Sequence, residues 1–283
     1  MITVLGTGLL GSGFVKALRT KGETVHVWNR TASRAQALAE TGAVPFTDAH
    51  EAIAGASRIH IVVSDDAAVD SVLVAAKPPA GALVIDHSTT STAGALDRTA
   101  RAKAAGYTYL HAPVFMGPGN AAESTGTMMV SGDREVCARV TPLLAPMTGK
   151  LADLGERVDA AASYKLVGNL MLMGLGAMFI DMINLGGAMG LSPVDVGKLF
   201  EFFNPGSQLP NRFKRIAEAA WNEPPSWELA MARKDALLMQ AEVKKAKRTL
   251  EMLPGVLARM ETQVAAGNGN KDWTVIASDL VSK

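Results

Sequence analysis

The stretch from Ala160 to Gly190 constrains the fold of this chain most, because it is a long apolar segment without a proline. Its residues are mostly Leu, Met, Ala and Gly, and the apolar positions recur at helical spacing. At about 1.5 Å per residue, one helix over this stretch would be about 45 Å long, enough to join two domains. We therefore predict a first domain over 1–159, a connecting helix over 160–190 and an all-helical domain over 191–283.

Lys165 lies near the start of this helix, and Asn169 follows four residues later. That spacing places an ammonium and an amide on one helix face, with Gly168 beside them. Two further polar residues, Asp181 and Asn184, interrupt the apolar run, which argues against a membrane span. Considered alone, the segment is also compatible with a buried core or dimer helix whose lysine extends to the surface.

The composition is that of an ordinary globular chain of 283 residues, 48% hydrophobic and 19% charged. The net charge is +1 without long blocks of like charge, so we expect a small-molecule partner rather than nucleic acid or a membrane. Cys137 is the single cysteine, which excludes an internal disulfide and a thiolate metal cluster, and no metal site is expected. Because the N-terminus has no basic region or signal-type apolar segment, we expect a cytoplasmic protein.

The N-terminus has the pattern of a strand, a glycine-rich turn and a helix. The apolar run Ile2–Leu5 is followed by a helical pattern through Leu18, and between them stand Gly6, Thr7, Gly8, Leu9, Leu10 and Gly11. Glycines in such a turn let backbone amides approach a pyrophosphate, and the helix N-terminus presents unpaired N–H groups. In this context GxGxxG predicts a dinucleotide site, and a glycine turn without a ligand is the alternative.

The end of the second predicted strand, 24–28, indicates which dinucleotide is bound. NAD sites normally have an Asp or Glu here for the ribose hydroxyls, and this chain has no acid at that place. It has instead Asn29, Arg30, Thr31 and Arg34. Because the planar guanidinium of Arg30 suits a 2′-phosphate, we predict NADP(H) rather than NAD(H). Two solvated surface arginines are the alternative.

Strand and helix patterns continue to alternate, with further strands predicted over 58–63, 82–86 and 107–110. Such alternation predicts an α/β fold with a doubly wound, mainly parallel sheet. Ligands of these sheets bind at the carboxyl ends of strands. The cofactor-binding candidates there are Val63, Ser64, Asp65 and Thr89. Their polar groups could equally cap the next helix, and His87 is interpreted as structural rather than catalytic.

Several motifs of this chain occur together in a characteristic order. They are Gly6–Gly11, Asp86–Thr89, Ala112–Val114 with a glycine shortly after, Gly126–Gly132, Lys165-x-x-x-Asn169 and Lys234–Asp235. In this order they resemble the β-hydroxyacid dehydrogenases, in the group of 3-hydroxyisobutyrate dehydrogenases and glyoxylate/succinic semialdehyde reductases. The resemblance implies a Rossmann domain, a long helix and an all-helical second domain. It also implies a catalytic role for Lys165, a substrate-orienting role for Asn169, and a place near cofactor and substrate for Lys234.

The segment after Ala112–Val114 departs from that family pattern. The family usually has Ser-Gly-Gly, which holds a substrate carboxylate, whereas this chain has Phe115, Met116 and Gly117. Because a phenyl ring cannot hydrogen-bond a carboxylate, we expect a larger or less polar carbonyl compound rather than a small hydroxyacid. The stretches Val27–Thr31 and Val63–Asp65 also resemble imine reductases, which usually lack the lysine.

After residue 190 the sequence predicts helices separated by prolines and no strands. Aromatic residues are expected in the core of this domain: Phe200, Phe202, Phe203, Trp221 and Trp227. By composition alone Lys234 lies on a solvated helix face. The glycines of the long helix permit close helix approach and suggest a homodimer.

The residues and the resemblance together predict hydride transfer between NADPH and a carbonyl or alcohol substrate. Lys165 would act as acid and base, and Asn169 would orient the carbonyl. The main alternative is an NADPH-dependent imine reductase. A nucleotide-binding protein without enzymatic activity is a further alternative, against which the presence of both Lys165 and Asn169 argues.

Overall fold

The computed structural model describes residues 1–281, which form two compact units. The first unit comprises Met1–Leu170, and the second begins at Met171. The division falls within one continuous helix, whereas the sequence predicts the end of the first domain before that helix.

A six-stranded parallel sheet forms the centre of the first unit. Its strands are β1 (Ile2–Leu5), β2 (Val25–Trp28), β3 (Val44–Phe46), β4 (Arg58–Ile61), β5 (Leu83–Asp86) and β6 (Thr108–His111). Their spatial order is β3-β2-β1-β4-β5-β6, so the winding direction reverses beside β1. Open α/β sheets bind their ligands at this switch point. The prediction of a doubly wound, mainly parallel sheet is therefore confirmed.

Helices connect the strands of this sheet and cover both of its faces, and three further helices, α6 to α8, follow β6. In chain order they are α1 (Leu9–Thr20), α2 (Ala32–Gln36), α3 (Ala49–Ala52), α4 (Asp66–Ala76), α5 (Thr92–Ala104), α6 (Pro118–Glu123), α7 (Arg134–Leu144) and α8 (Ala160–Ala188). Successive strand residues point to opposite faces. Val4 thus packs in one apolar cluster with Phe14, while Leu5 packs in a second cluster with Ile61.

Strand β3 and a second, small sheet are absent from the sequence-based prediction. The small sheet contains β7 (Val114–Phe115), β8 (Thr127–Val130) and β9 (Lys150–Asp153), in the order β7-β8-β9. Strand β3 has three residues, one of them Pro45, and lies at a sheet edge. These strands are short and their partners are distant in sequence, so local alternation gives little signal for them.

Helix α8 begins where the sequence predicts it and ends two residues earlier, at Ala188. Gly190 adopts φ +85°, and Leu191 N donates to Gly186 O, which closes the helix end in the left-handed way typical of glycine. Among the described residues, α8 is the one helix whose length and composition would allow a membrane span. Many of its large apolar side chains are exposed within this chain, including Leu170, Met173 and Ile180.

The second unit is helical, as predicted. Besides the end of α8 it contains α9 (Pro193–Gly197), α10 (Leu209–Ala217), α11 (Leu229–Lys245), α12 (Leu253–Ala265) and a 3₁₀ helix, Trp273–Leu280. Leu229 and Ala232 of α11 pack against Leu257 and Met260 of α12. The buried carboxylate of Asp181 accepts hydrogen bonds from the backbone amides at the start of α12, at 2.6 to 3.0 Å.

The prediction that the phenylalanines at 200–203 form core is wrong. Phe200, Phe202 and Phe203 are 51%, 80% and 54% exposed. They lie on a short 3₁₀ turn and the loop after it, outside the cluster that α11 and α12 form. Trp221 is buried in that cluster, as expected, whereas Trp227 is 36% exposed.

Candidate functional site

A cavity of about 480 Å³ opens in the first unit beside the turn that follows β1. Sequence-predicted residues that line it are Gly6, Gly8, Leu9, Leu10, Gly11, Asn29, Arg30, Thr31, Arg34, Val63, Ser64, Thr89, Met116 and Lys165. The charged residues in this lining are Arg30, Arg34 and Lys165, and no carboxylate is among them. Such a cavity suits a ligand with several negative charges.

The glycine turn is tightly packed toward the sheet and open toward the cavity. Gly6 has φ +100°, and a Cβ at this position would lie 2.2 Å from Val62 O. A Cβ at Gly8 would meet no atom within 4 Å. Gly8 is the N-cap of α1 and supplies no side chain to cap it, so the first amides of the helix remain available to an anion.

Thr7 and Asn29 join the glycine turn to the end of β2. Asn29 Oδ1 accepts from Thr7 N at 3.0 Å, and Asn29 Nδ2 donates to Thr31 O at 3.0 Å. Thr7 Oγ1 is buried and has no hydrogen-bond partner among the described residues. A buried hydroxyl without a partner, the available helix amides and the open side of Gly8 together fit a dinucleotide phosphate at this turn.

Asp65 and Ser64 differ in their relation to the cavity. Asp65 is the N-cap of α4, where its carboxylate accepts from Ala68 N at 2.9 Å and from Ser64 Oγ at 2.7 Å. The Ser64 hydroxyl and the Ala68 amide hold the pKa of Asp65 below its ordinary value. Ser64 lines the cavity and Asp65 does not. Of the two roles that the sequence left open, helix capping is therefore the one that the Asp65 carboxylate performs in this structure.

His87 also lines the cavity and belongs to a buried hydrogen-bonded chain. Its Nδ1 lies 2.8 Å from Ala112 O, and its Nε2 lies 2.9 Å from His60 Nδ1. Arg58 Nε donates to His60 Nε2 at 3.0 Å. This geometry assigns both rings as neutral, with Nδ1 protonated in each. Burial lowers the pKa of His87 to about 4 and that of His60 well below its usual value. The arrangement fits a structural role for His87.

Lys165 projects from the first turns of α8 to the cavity wall. Its Nζ lies 4.4 Å above the centre of the Phe115 ring. The residue is half-buried, and desolvation lowers the pKa of its ammonium. Met116 also lines the cavity. A lysine with a lowered pKa on a cavity wall is suited to acid–base chemistry.

Besides Asp65 and Thr7, four predicted site residues are not part of the cavity lining. Phe115 lies against α8, Gly117 is the N-cap of α6, and Asn169 is partly exposed on α8. Lys234 belongs to the second unit, on α11, where its ammonium pairs with Asp235 at 2.8 Å.

Part of the lining was not predicted from the sequence, namely Trp28, Val62, Ala68, Ser71, Val72 and Val114. Ala68, Ser71 and Val72 lie on α4 at spacings of three and four residues. A helix is expected after the predicted strand end at 63, and the helical spacing of these three residues could have indicated from the sequence that they share one face.

The comparisons with known proteins agree with this architecture. Residues 1–155 match a family described as the NAD binding domain of 6-phosphogluconate dehydrogenase. Over 195 residues the chain is 31% identical to a probable 3-hydroxyisobutyrate dehydrogenase of Mycobacterium tuberculosis, a match that covers 68% of this chain and 65% of that protein. The chain therefore spans slightly less than two thirds of that relative's length.

Two solved structures share the fold. The imine reductase from Myxococcus stipitatus in complex with NADP⁺ has a TM-score of 0.91 at 20% identity and covers 99% of each chain. The reductive aminase from Aspergillus terreus, in complex with NADPH4, cyclohexanone and allyl amine, has a TM-score of 0.89 at 23% identity and covers 99% of this chain and 98% of that one. The sequence-based resemblance is thus confirmed, and the chain belongs to the family that carries the NAD-binding domain of 6-phosphogluconate dehydrogenase.

Proposed function

We propose that this protein is an NADP(H)-dependent oxidoreductase that transfers a hydride between the cofactor and a carbonyl or alcohol substrate, with Lys165 as acid and base. The single observation that carries the proposal is one cavity in which the glycine turn, two arginines and Lys165 come together without a carboxylate. The name of the mycobacterial relative, a probable 3-hydroxyisobutyrate dehydrogenase, supports this class of reaction.

The proposed cofactor site follows the cavity from one end to the other. The turn Gly6–Gly11 and the first amides of α1 would hold the pyrophosphate. Arg30, Thr31 and Arg34 would hold the 2′-phosphate, because guanidinium groups bind phosphate through paired N–H donors. Val63, Ser64 and Thr89 would lie beside the nicotinamide half. When bound, NADPH would supply the hydride.

Lys165 would supply and remove the proton at the substrate oxygen. In reduction its ammonium donates to the developing alkoxide, and in alcohol oxidation its neutral amine accepts the hydroxyl proton. Desolvation lowers the pKa of Lys165, so a larger fraction of the amine is neutral at a given pH than in a solvated lysine. Alcohol oxidation should therefore begin to rise at a lower pH than it would with a solvated lysine as the base.

The substrate would be a carbonyl compound with an apolar substituent. Met116 lines the cavity, and Phe115 occupies the place where the related dehydrogenases usually have a carboxylate-binding serine. An apolar wall favours an uncharged group over a carboxylate. We therefore expect aldehydes or ketones rather than small hydroxyacids.

Imine reduction is the second candidate function. The same apolar wall suits a cyclic imine, and the names of the imine reductase and the reductive aminase with this fold support the class. Activity on imines without activity on carbonyl compounds would favour this alternative.

We further propose that two copies of the chain associate. Large apolar side chains are exposed on α8 and at Phe200, Phe202 and Phe203, and association of two copies would remove such groups from water. Multi-angle light scattering on the eluting protein tests this proposal: a dimer mass supports it, and a monomer mass at micromolar concentration contradicts it.

The deciding experiment is a panel of aldehydes, ketones and cyclic imines assayed with NADPH and with NADH. We expect carbonyl reduction with a clear preference for NADPH. Comparable catalytic efficiency with both cofactors would overturn the cofactor assignment. Binding of NADPH without turnover of any member would favour a protein without enzymatic activity.

A further inference from the structure

We propose that Phe115 is a positioning residue for the Lys165 ammonium, and that the missing side chain of Gly168 makes room for its ring. The catalytic consequence rests on the proposed function, whereas the positioning itself concerns three residues of one unit and can be measured without a substrate.

The small sheet determines where the backbone of Phe115 lies. Strand β7 pairs antiparallel with β8, with Phe115 opposite Thr127. The residue before Thr127, Gly126, has φ +79°, and a Cβ there would lie 2.8 Å from Phe115 O. Because the strand passes so close to this glycine, the backbone of Phe115 has little freedom to shift.

The ring of Phe115 packs directly on the backbone of α8. A Cβ at Gly168 would lie 2.2 Å from Phe115 Cζ, 2.7 Å from Cε1 and 3.2 Å from Cε2. These distances leave no room for a methyl group beside the ring. Any side chain at position 168 would therefore displace the ring from its present place.

Lys165 stands three residues before Gly168, on the same face of α8. Its ammonium lies over the Phe115 ring at 4.4 Å from the centroid, within the range of a cation–π contact. No ion pair of Lys165 occurs among the residues that the structure describes, and the other charged groups of the cavity lining are the cations Arg30 and Arg34. The ring is thus the attractive partner that holds the amine at the cavity wall.

This arrangement also explains why an apolar residue suits position 115. The ring covers one side of the amine and reduces its contact with water, which agrees with the lowered pKa of Lys165. A serine at this position would provide neither the cover nor the contact. The departure from the family pattern at position 115 therefore changes the environment of the lysine.

The test uses the full chain without added substrate, with its lysines dimethylated by ¹³C-formaldehyde, a modification that keeps the positive charge. The Lys165 signal is identified by its loss in Lys165→Arg. A group above the face of an aromatic ring experiences an upfield ring-current shift, so we expect this signal upfield of the other dimethyl-lysine signals. The shift should disappear in Phe115→Leu and in Gly168→Ala, and persist in Phe115→Tyr.

Two comparisons make the result specific. Gly255→Ala is the matched control, because a methyl group on this helical glycine would meet no neighbouring atom within 4 Å, so its substitution should leave the signal unchanged. In the Phe115→Leu background, Gly168→Ala should have no further effect, since both substitutions act through the ring. An unshifted wild-type signal, or a signal that both single variants leave in place, would overturn the proposal.

Kinetics then separate this proposal from the proposed function. If Lys165 acts on the substrate, Phe115→Leu and Gly168→Ala should lower kcat about tenfold, because misplacement of a reacting group is costly, and leave KM for NADPH unchanged. If the two variants abolish the ring-current shift but leave kcat unchanged, the positioning of Lys165 by Phe115 is supported and the catalytic role of Lys165 is contradicted. If a variant loses activity but keeps the ring-current shift, misplacement of the Lys165 ammonium is not the cause of the loss.

Discussion

His60 Nδ1 lies 2.9 Å from His87 Nε2, and the two rings stack with their centroids 5.1 Å apart. Both side chains are buried, His60 on β4 and His87 directly after β5, and His87 lines the candidate cofactor cavity. Because each ring nitrogen already has a partner, an added proton would break the chain of hydrogen bonds that runs from Arg58 to Ala112.

The first prediction concerns stability against acid. Burial lowers the pKa of His87 to about 4 and also lowers that of His60, so the unfolded chain takes up protons before the folded one as the pH falls. The contribution of the two buried neutral histidines to the free energy of unfolding is complete above pH ~6.5 and decreases as the pH falls from there toward 4. For His87 alone we expect a loss of about 2 kcal/mol in the free energy of unfolding between pH 7 and 5. Urea titrations at both pH values measure it.

A matched variant controls for the other titrating groups. His50 is exposed on α3, and His50→Gln should keep the full dependence on pH. Equal free energies of unfolding at pH 7 and pH 5 in the wild-type protein would contradict protonation of the buried pair as a source of instability.

The second prediction concerns the choice of cofactor. Arg30→Ala removes a guanidinium from the cavity lining, and we expect KM for NADPH to rise at least tenfold with little change for NADH. Arg139 is exposed and donates to Thr108 Oγ1 outside this lining, so Arg139→Ala should change neither value. If Arg30→Ala weakens both cofactors equally, the arginine does not recognise the 2′-phosphate.

The third prediction concerns proton transfer. Lys165→Ala should lower kcat by about 10²-fold or more, with a small effect on KM for NADPH. In the wild-type protein alcohol oxidation should increase with pH, because the proposed base is the neutral amine of Lys165. Since desolvation lowers the pKa of Lys165, the midpoint of this rise should lie below the value of about 10.4 for a solvated lysine. Lys150→Ala, at an exposed position, is the control; unchanged turnover in Lys165→Ala would refute the role.

The fourth prediction separates folding from cofactor binding within one turn. Gly6→Ala should destabilise the protein by more than ~2 kcal/mol, because a methyl group would collide with Val62 O at a backbone conformation that suits glycine. Gly8→Ala should leave the melting temperature unchanged, since its Cβ meets no protein atom. It should nevertheless weaken NADPH binding, because the cofactor phosphates would lie there. Thermal unfolding and fluorescence titration with NADPH check the two effects. Wild-type affinity for NADPH in Gly8→Ala would contradict the binding of the cofactor phosphates at this turn.

Much of the first unit was predictable because its signals are local. The strands β1, β2, β4, β5 and β6 lie within two residues of their predicted positions, since each is an apolar run bounded by turn residues. The glycine turn and the polar residues after β2 were also found, and they line one cavity. The roles assigned to Lys165, Asn169 and Lys234 stay predictions, and they came from the resemblance rather than from the pattern of residues.

Other features had no local signal. The phenylalanines at 200–203 look like core residues by composition, yet the turn that carries them lies outside the cluster of the second unit. Their burial depends on the neighbouring elements, which residue types alone do not specify. For Asp65 the residues left two roles open, and the hydrogen bond from Ala68 N shows that its carboxylate caps α4.

The sequence by itself determined the order of strands and helices, the glycine turn, the cationic residues after β2 and the long apolar helix with its lysine. These features follow from propensities and periodicities that act over a few residues. Only the tertiary structure decided that the ring from position 115 lies on Gly168 and beneath the ammonium of Lys165. That contact joins residues about fifty positions apart, and long-range packing of this kind leaves no periodic signal in the chain.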